Sequence, residues 1–253
     1  MRAALAAFFA VFFACASGAE DAAPPAAAKQ KQILIVLTSH AELFGTGRKT
    51  GFWFEELAVP YYVFRKAGYG VVIASIRGGR TEPDPASLKE PSAAVKRFQQ
   101  DEAAMKLLRR SVPLNRIDPA RFDAVLVAGG RGALWDLVSD VPLTDLLQRY
   151  VLEGKPIGTL SHGAVALLEM KGRDGRHFLH GRRVAVATKR EEEAAGLVGV
   201  VPSYADAQMQ ENGARVERAA PGQANAVRDG LLITGQNAAS AERVAKLLVE
   251  AMR

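Results

Sequence analysis

Cysteine is almost absent from this sequence: Cys15 is the only one in 253 residues. A lone cysteine forms no internal disulfide, so no covalent framework holds the chain together. Histidine is also scarce, with four copies. His40 and Glu42 are the one close pair that points to a metal. Two ligands without a third do not make a site, so no metal is expected. Long basic runs are missing too, although 33 Lys and Arg against 27 Asp and Glu leave a net charge of +6. Nucleic-acid binding needs a clustered patch or a known motif, and its absence excludes that class of partner. No apolar run reaches the ~20 residues that span a bilayer. Neither an internal repeat nor a second domain boundary is visible.

What is present begins with an export pattern. Met1-Arg2 gives a positive start, and residues 3–14, with Phe8, Phe9, Phe12 and Phe13, form a short apolar run. Ser17-Gly18-Ala19 puts small residues where a signal peptidase cuts. Residues 1–19 therefore read as a signal peptide, with a cut after Ala16 as the near alternative. The expected location is periplasmic or secreted. A lipid anchor at Cys15 is a second reading. Residues 20–31 are rich in Ala and Pro and read as a flexible linker.

Residues 32–253 carry the folded domain. Their composition, like that of the whole chain at 49% hydrophobic and 24% charged, supports a sizeable core. Residues 33–38 are a β-branched run suited to a strand buried on both faces. Further strands are expected at 71–75, 123–128, 156–160 and 183–187, with a hairpin at 226–235 around Asp229-Gly230. Helices are expected at 51–67, 93–110, 143–152, 191–197, 205–212 and 238–252. Pro60 should kink the first of these or shorten its opening segment. The alternation of strand and helix predicts an α/β sandwich with a mostly parallel sheet. Ligands in such folds sit beyond the carboxyl ends of the strands, where Ser39, Gly129-Gly130 and Ser161 fall.

The segment from Gly154 to Leu168 stands out. It reads as an apolar strand, a sharp turn and a helix start, with Ser161 and His162 at the turn. That is the pattern of a nucleophile elbow, in which a strained turn exposes one side chain above the sheet. The hydrolase signature G-x-S-x-G is not met, because Thr159 occupies the first glycine position.

Four segments together resemble the PfpI-type branch of the class I glutamine amidotransferase-like superfamily. They are Thr38-Ser-His40 with Thr50-Gly-Phe-Trp-Phe-Glu55-Glu56; Ala128-Gly-Gly-Arg131-Gly-Ala-Leu-Trp135-Asp136; Lys155-Pro-Ile-Gly-Thr-Leu-Ser161-His162-Gly163; and Asp229-Gly-Leu-Leu-Ile-Thr-Gly-Gln-Asn237. Within the branch they look most like the chaperone/glyoxalase III proteins. The resemblance implies a flavodoxin-like three-layer sandwich, a homodimer, and cofactor-free conversion of methylglyoxal to lactate. Holdase action on unfolded clients and repair of glycated groups are further implied activities. It places Ser161 on the nucleophile, normally Cys, and His162 on its partner. Glu56 falls on the helix acid. Glu191 is the best match to the acid that orients the histidine, with Glu192 close behind. Gly129 and Gly130, with the N–H of His162, match an oxyanion site, and Arg131 stands where His is usual.

A serine must lose its proton to a base as it attacks, whereas a cysteine can ionise beforehand. Ser161, His162 and Glu191 would then form a triad acting on a small aldehyde or acyl substrate, with Glu56 as general acid/base. The competing reading is an inactive holdase or ligand-binding protein on the same scaffold, in which Arg131 pairs with a ligand carboxylate.

Overall fold

The computed structural model describes residues 30–253. The expected signal, Cys15 and most of the linker lie outside them. In chain order the strands are β1 (Gln32–Leu37), β2 (Glu42–Leu43), β3 (Arg48–Lys49), β4 (Gly70–Ser75), β5 (Val112–Pro113), β6 (Ala124–Val127), β7 (Ile157–Leu160), β8 (Arg183–Val184), β9 (Arg215–Val216), β10 (Ala226–Asp229) and β11 (Leu232–Gly235). The α-helices are α1 (Phe54–Lys66), α2 (Ala93–Gln100), α3 (Glu102–Arg109), α4 (Ala133–Asp136), α5 (Val141–Glu153), α6 (Lys189–Ala194), α7 (Ala205–Glu211) and α8 (Ala241–Ala251).

Seven strands form one sheet in the order β10-β11-β7-β6-β1-β4-β5. Every pair in it is parallel except the β10–β11 hairpin. The β-branched run of β1 is buried throughout from Ile33 to Leu37. Its side chains alternate between two cores. Ile33, Ile35 and Leu37 join α1 and α8 on one face, and Leu34 and Val36 join α5 on the other. This period of two on a doubly covered strand is what makes three layers. The chain builds outward from β1 to β4 and β5, then returns to β6 on the other side of β1. That reversal opens a crevice at the carboxyl ends of β1 and β6.

Several local expectations change. The helix expected over 93–110 is two helices, because Asp101 leaves the helical region (φ −83°, ψ 100°) and caps α3 through Ala104 N–H. The first helix starts at Phe54 and continues through Pro60 as far as Lys66. The strand expected over 183–187 is only β8, which pairs with β9 outside the main sheet. Between β1 and α1, where no strand is expected, β2 and β3 pair as a short antiparallel hairpin. Beyond Ser161 the chain winds as a 3-10 helix to Leu167.

Candidate active site

Ser161 directly follows β7 and is the single non-glycine residue with positive φ (46°) among the described residues. A side chain held there costs backbone energy that the surroundings must supply. Two glycines make the turn possible. A Cβ on Gly163 would meet the Val127 carbonyl oxygen at 2.6 Å, and one on Gly129 would meet Ser161 Oγ at 2.5 Å and Glu56 Oε2 at 2.7 Å. The bare Gly129 thus lets the hydroxyl and the carboxyl share one small space.

From Ser161 a line of polar contacts runs inward. Its Oγ lies 3.2 Å from His162 Nδ1 and accepts the His162 backbone N–H at 2.6 Å. His162 Nε2 lies 2.8 Å from Glu192 Oε1. The other oxygen of Glu192 accepts from Arg131 Nε at 2.8 Å, and Arg131 Nη1 lies 3.8 Å from Asp84 Oδ2. Asp84 is itself buried and accepts from Thr50 Oγ1 and Ala86 N–H, each at 2.8 Å. Burial alone would raise the Glu192 pKa. His162 and Arg131 together overcome it and bring it down to about 2. A carboxylate only accepts, so a neutral His162 carries its proton on Nε2 and turns a bare Nδ1 toward Ser161.

Glu56 sits in the first turn of α1, almost fully buried. Trp53 N–H donates to the Gly129 carbonyl at 2.9 Å, which stitches the start of α1 to the end of β6. Glu56 Oε2 accepts the Gly129 N–H at 2.8 Å. Desolvation pushes its pKa up to about 8, against the opposing pull of Gly129 and of the Ser161 hydroxyl. The negative charges of Glu191 and Glu55 add to the upward push.

A cavity of about 510 Å³ opens above these groups, walled by Trp53, Glu55, Glu191 and Asn237. Ser161, His162, Glu56, Gly130 and Arg131 all border it. Three expectations need correction. Glu191 does not reach His162. It closes a capping box with Thr188 at the start of α6, and its Oε1 accepts from Asn237 Nδ2 at 2.8 Å. Glu192, one residue on along the helix, faces the histidine instead. Gly129 does not present its N–H to the cavity, because Glu56 takes it. The Gly130 N–H makes no hydrogen bond among the described residues and is the remaining backbone donor. Arg131 is not a free cation, since Glu192 and Asp84 hold its guanidinium.

The sequence contained a signal for the first correction. Thr188-Lys-Arg-Glu191 is an S/T-x-x-E capping box, which commits Glu191 to the backbone and leaves Glu192 for the site. Asp84, Thr50 and Asn237 join the site without a role that the sequence predicts. Thr50 and Asn237 lie inside the motif segments, but Asp84 lies in a Pro-rich loop with no signal of its own. Trp53 walls the cavity, whereas Trp135 stacks on His40 with ring centroids 4.9 Å apart.

The same arrangement of strands is found in known proteins. The glutathione-independent glyoxalase hsp3101 of Schizosaccharomyces pombe is 28% identical over 238 residues, spanning 88% of this chain and 96% of that protein. The X-ray structure of the Rapid Encystment Protein 24 KDa of Francisella tularensis superposes with a TM-score of 0.85 at 29% identity, covering 88% of this chain and all of that one. Glyoxalase III of Candida albicans matches with a TM-score of 0.80 at 24% identity, over 88% of this chain and 98% of that one, a likeness that speaks for the fold. The DJ-1/PfpI family matches residues 49–251, which hold Glu56, the Gly129 turn, the Ser161 elbow and the β10–β11 hairpin. With its sheet order, its elbow and this match, the chain belongs to the DJ-1/PfpI family.

Proposed function

We propose that this chain is an exported enzyme of the glyoxalase III type, with Ser161 as its nucleophile and 2-oxoaldehydes as substrates. Export rests on the pattern of residues 1–19. One observation carries the chemistry: Ser161 Oγ stands at the end of an unbroken polar line through His162 to Glu192, with Glu56 on its other side.

The steps balance without a cofactor. Ser161 Oγ bonds to the aldehyde carbon, and its proton passes to His162 Nδ1. The carbonyl electron pair moves to oxygen, which stays as an oxyanion beside the Gly130 N–H while His162 keeps the proton. Glu56 then removes the hydrogen of that carbon as a proton, while His162 protonates the neighbouring ketone oxygen. The resulting enediolate takes the proton back from Glu56 at its second carbon, and the oxyanion on its first carbon becomes the ester carbonyl. The product is a 2-hydroxyacyl ester on Ser161, which water cleaves with His162 as base. One carbon is oxidised and its neighbour reduced, so no external oxidant is needed. With a pKa of about 8, Glu56 is about one-tenth ionised at pH 7 and is more basic than an ordinary carboxylate.

The test compares the full chain with Ser161→Ala for methylglyoxal consumption and lactate formation. Loss of turnover to background supports the reading. An unchanged rate overturns it.

A further inference from the structure

The contacts of Arg131 make it a candidate for more than a wall of the cavity. Glu192 is 2% exposed and has two oxygens to satisfy. His162 supplies one donor and Arg131 Nε the other. Without the guanidinium, a buried carboxylate would keep one hydrogen bond and a large desolvation penalty, and would take up a proton. A protonated Glu192 no longer requires a proton on His162 Nε2. The ring is then free to carry it on Nδ1, the nitrogen 3.2 Å from Ser161 Oγ. In that tautomer the imidazole donates to Ser161 and cannot act as its base.

The fork of Arg131 is fixed from behind as well. Its Nη1 faces Asp84, which Thr50 Oγ1 and Ala86 N–H hold in place. An ammonium has no such fork, so a lysine would carry the charge without the two-sided orientation. Three segments therefore converge on one guanidinium: the loop carrying Asp84, the turn after β6, and α6.

We infer that Arg131 is a positioning residue: by holding Glu192 as an anion it sets the His162 tautomer that leaves Nδ1 open to the Ser161 hydroxyl. This rests on the reading of Ser161 as nucleophile for its catalytic meaning, but not for its measurement.

The experiment is ¹⁵N NMR of ring-labelled histidine in the full chain at pH 7, with turnover measured alongside. The wild type should show His162 protonated at Nε2. Arg131→Met should shift the signals toward the Nδ1-protonated form and lower kcat by about 10- to 100-fold with little change in KM. Arg131→Gln, a polar replacement better tolerated in a buried polar setting, should do the same. Arg131→Lys should restore the wild-type tautomer and part of the rate. A wild-type His162 spectrum in either neutral variant that keeps its circular dichroism would overturn the inference. If the wild type shows no turnover, the proposed function fails, and the His162 signals still decide the role of Arg131.

Discussion

The backbone N–H of Gly129 holds Oε2 of Glu56 at 2.8 Å, joining residues 73 apart in sequence. This bond anchors the carboxyl but does not keep it ionised, because desolvation lifts its pKa from 4.5 to about 8. The raised value means that the folded chain binds a proton here that the unfolded chain has released. Stability from this group is therefore full below about pH 4.5 and declines as pH rises toward 8. Glu56→Gln, which cannot ionise, should leave Tm nearly unchanged at pH 4.5 and raise it above the wild type at pH 8.5. Thermal unfolding across that range checks the sign. A variant less stable than the wild type at pH 8.5 would contradict the burial of a neutral acid.

Glu192 titrates in the opposite sense. Its pKa of about 2 makes it a stabilising anion above about pH 4.5, and that contribution is lost as pH falls toward 2. Glu192→Gln strands Arg131 and should cost about 3 kcal/mol at pH 7, with the gap narrowing at pH 3. Turnover should fall by roughly 100-fold or more, since the base loses its orienting partner. Glu191→Ala opens the capping box at α6 and should cost about 1 kcal/mol, with a far smaller effect on rate. Chemical denaturation and kinetics on the two variants separate the roles. Equal rate losses would refute the division between them.

Ser161→Cys tests whether the surroundings still suit a thiol. A thiolate attacks without needing a base in the same step, so methylglyoxal turnover should rise by about tenfold. No gain would mean that the positive φ and the Gly129 contact place the atom for oxygen alone.

Carboxylate-bearing aldehydes should be poor substrates. Among the described residues the one guanidinium at the cavity, that of Arg131, is held by Glu192 and Asp84, while Glu55 and Glu191 line the wall. A 2-oxoaldehyde that carries a carboxylate, such as 4,5-dioxopentanoate, should show a kcat/KM about tenfold or more below that of methylglyoxal, with the gap shrinking at high salt. Equal values would mean that Arg131 exchanges its partners for a ligand.

The sandwich, its parallel sheet and the elbow were legible because each rests on a local pattern. The buried run of β1, the glycines around Ser161 and the Asp229-Gly230 turn all state their geometry in a few residues. The choice between Glu191 and Glu192 was harder. Successive helix positions point about 100° apart, so only the cap reveals which acid is free. Asp84 lay beyond reach, because its contact with Arg131 is made by tertiary folding of a loop 47 positions away. The split at Asp101 was hidden for a related reason. The composition over 93–110 favours helix throughout, and only the paired use of Asp101, as cap for Ala104 and acceptor for the Tyr62 hydroxyl, breaks it.

The oxygen on Ser161 has a chemical consequence of its own. A thiolate in that turn would be open to stepwise oxidation to sulfenic, sulfinic and sulfonic acids, the last steps beyond ordinary repair. A hydroxyl does not enter that series. The one sulfhydryl of the chain, Cys15, precedes the folded domain. As the proposed nucleophile, Ser161 should therefore keep its reactivity whatever the redox poise around it, and peroxide and reducing agent alike should leave it intact.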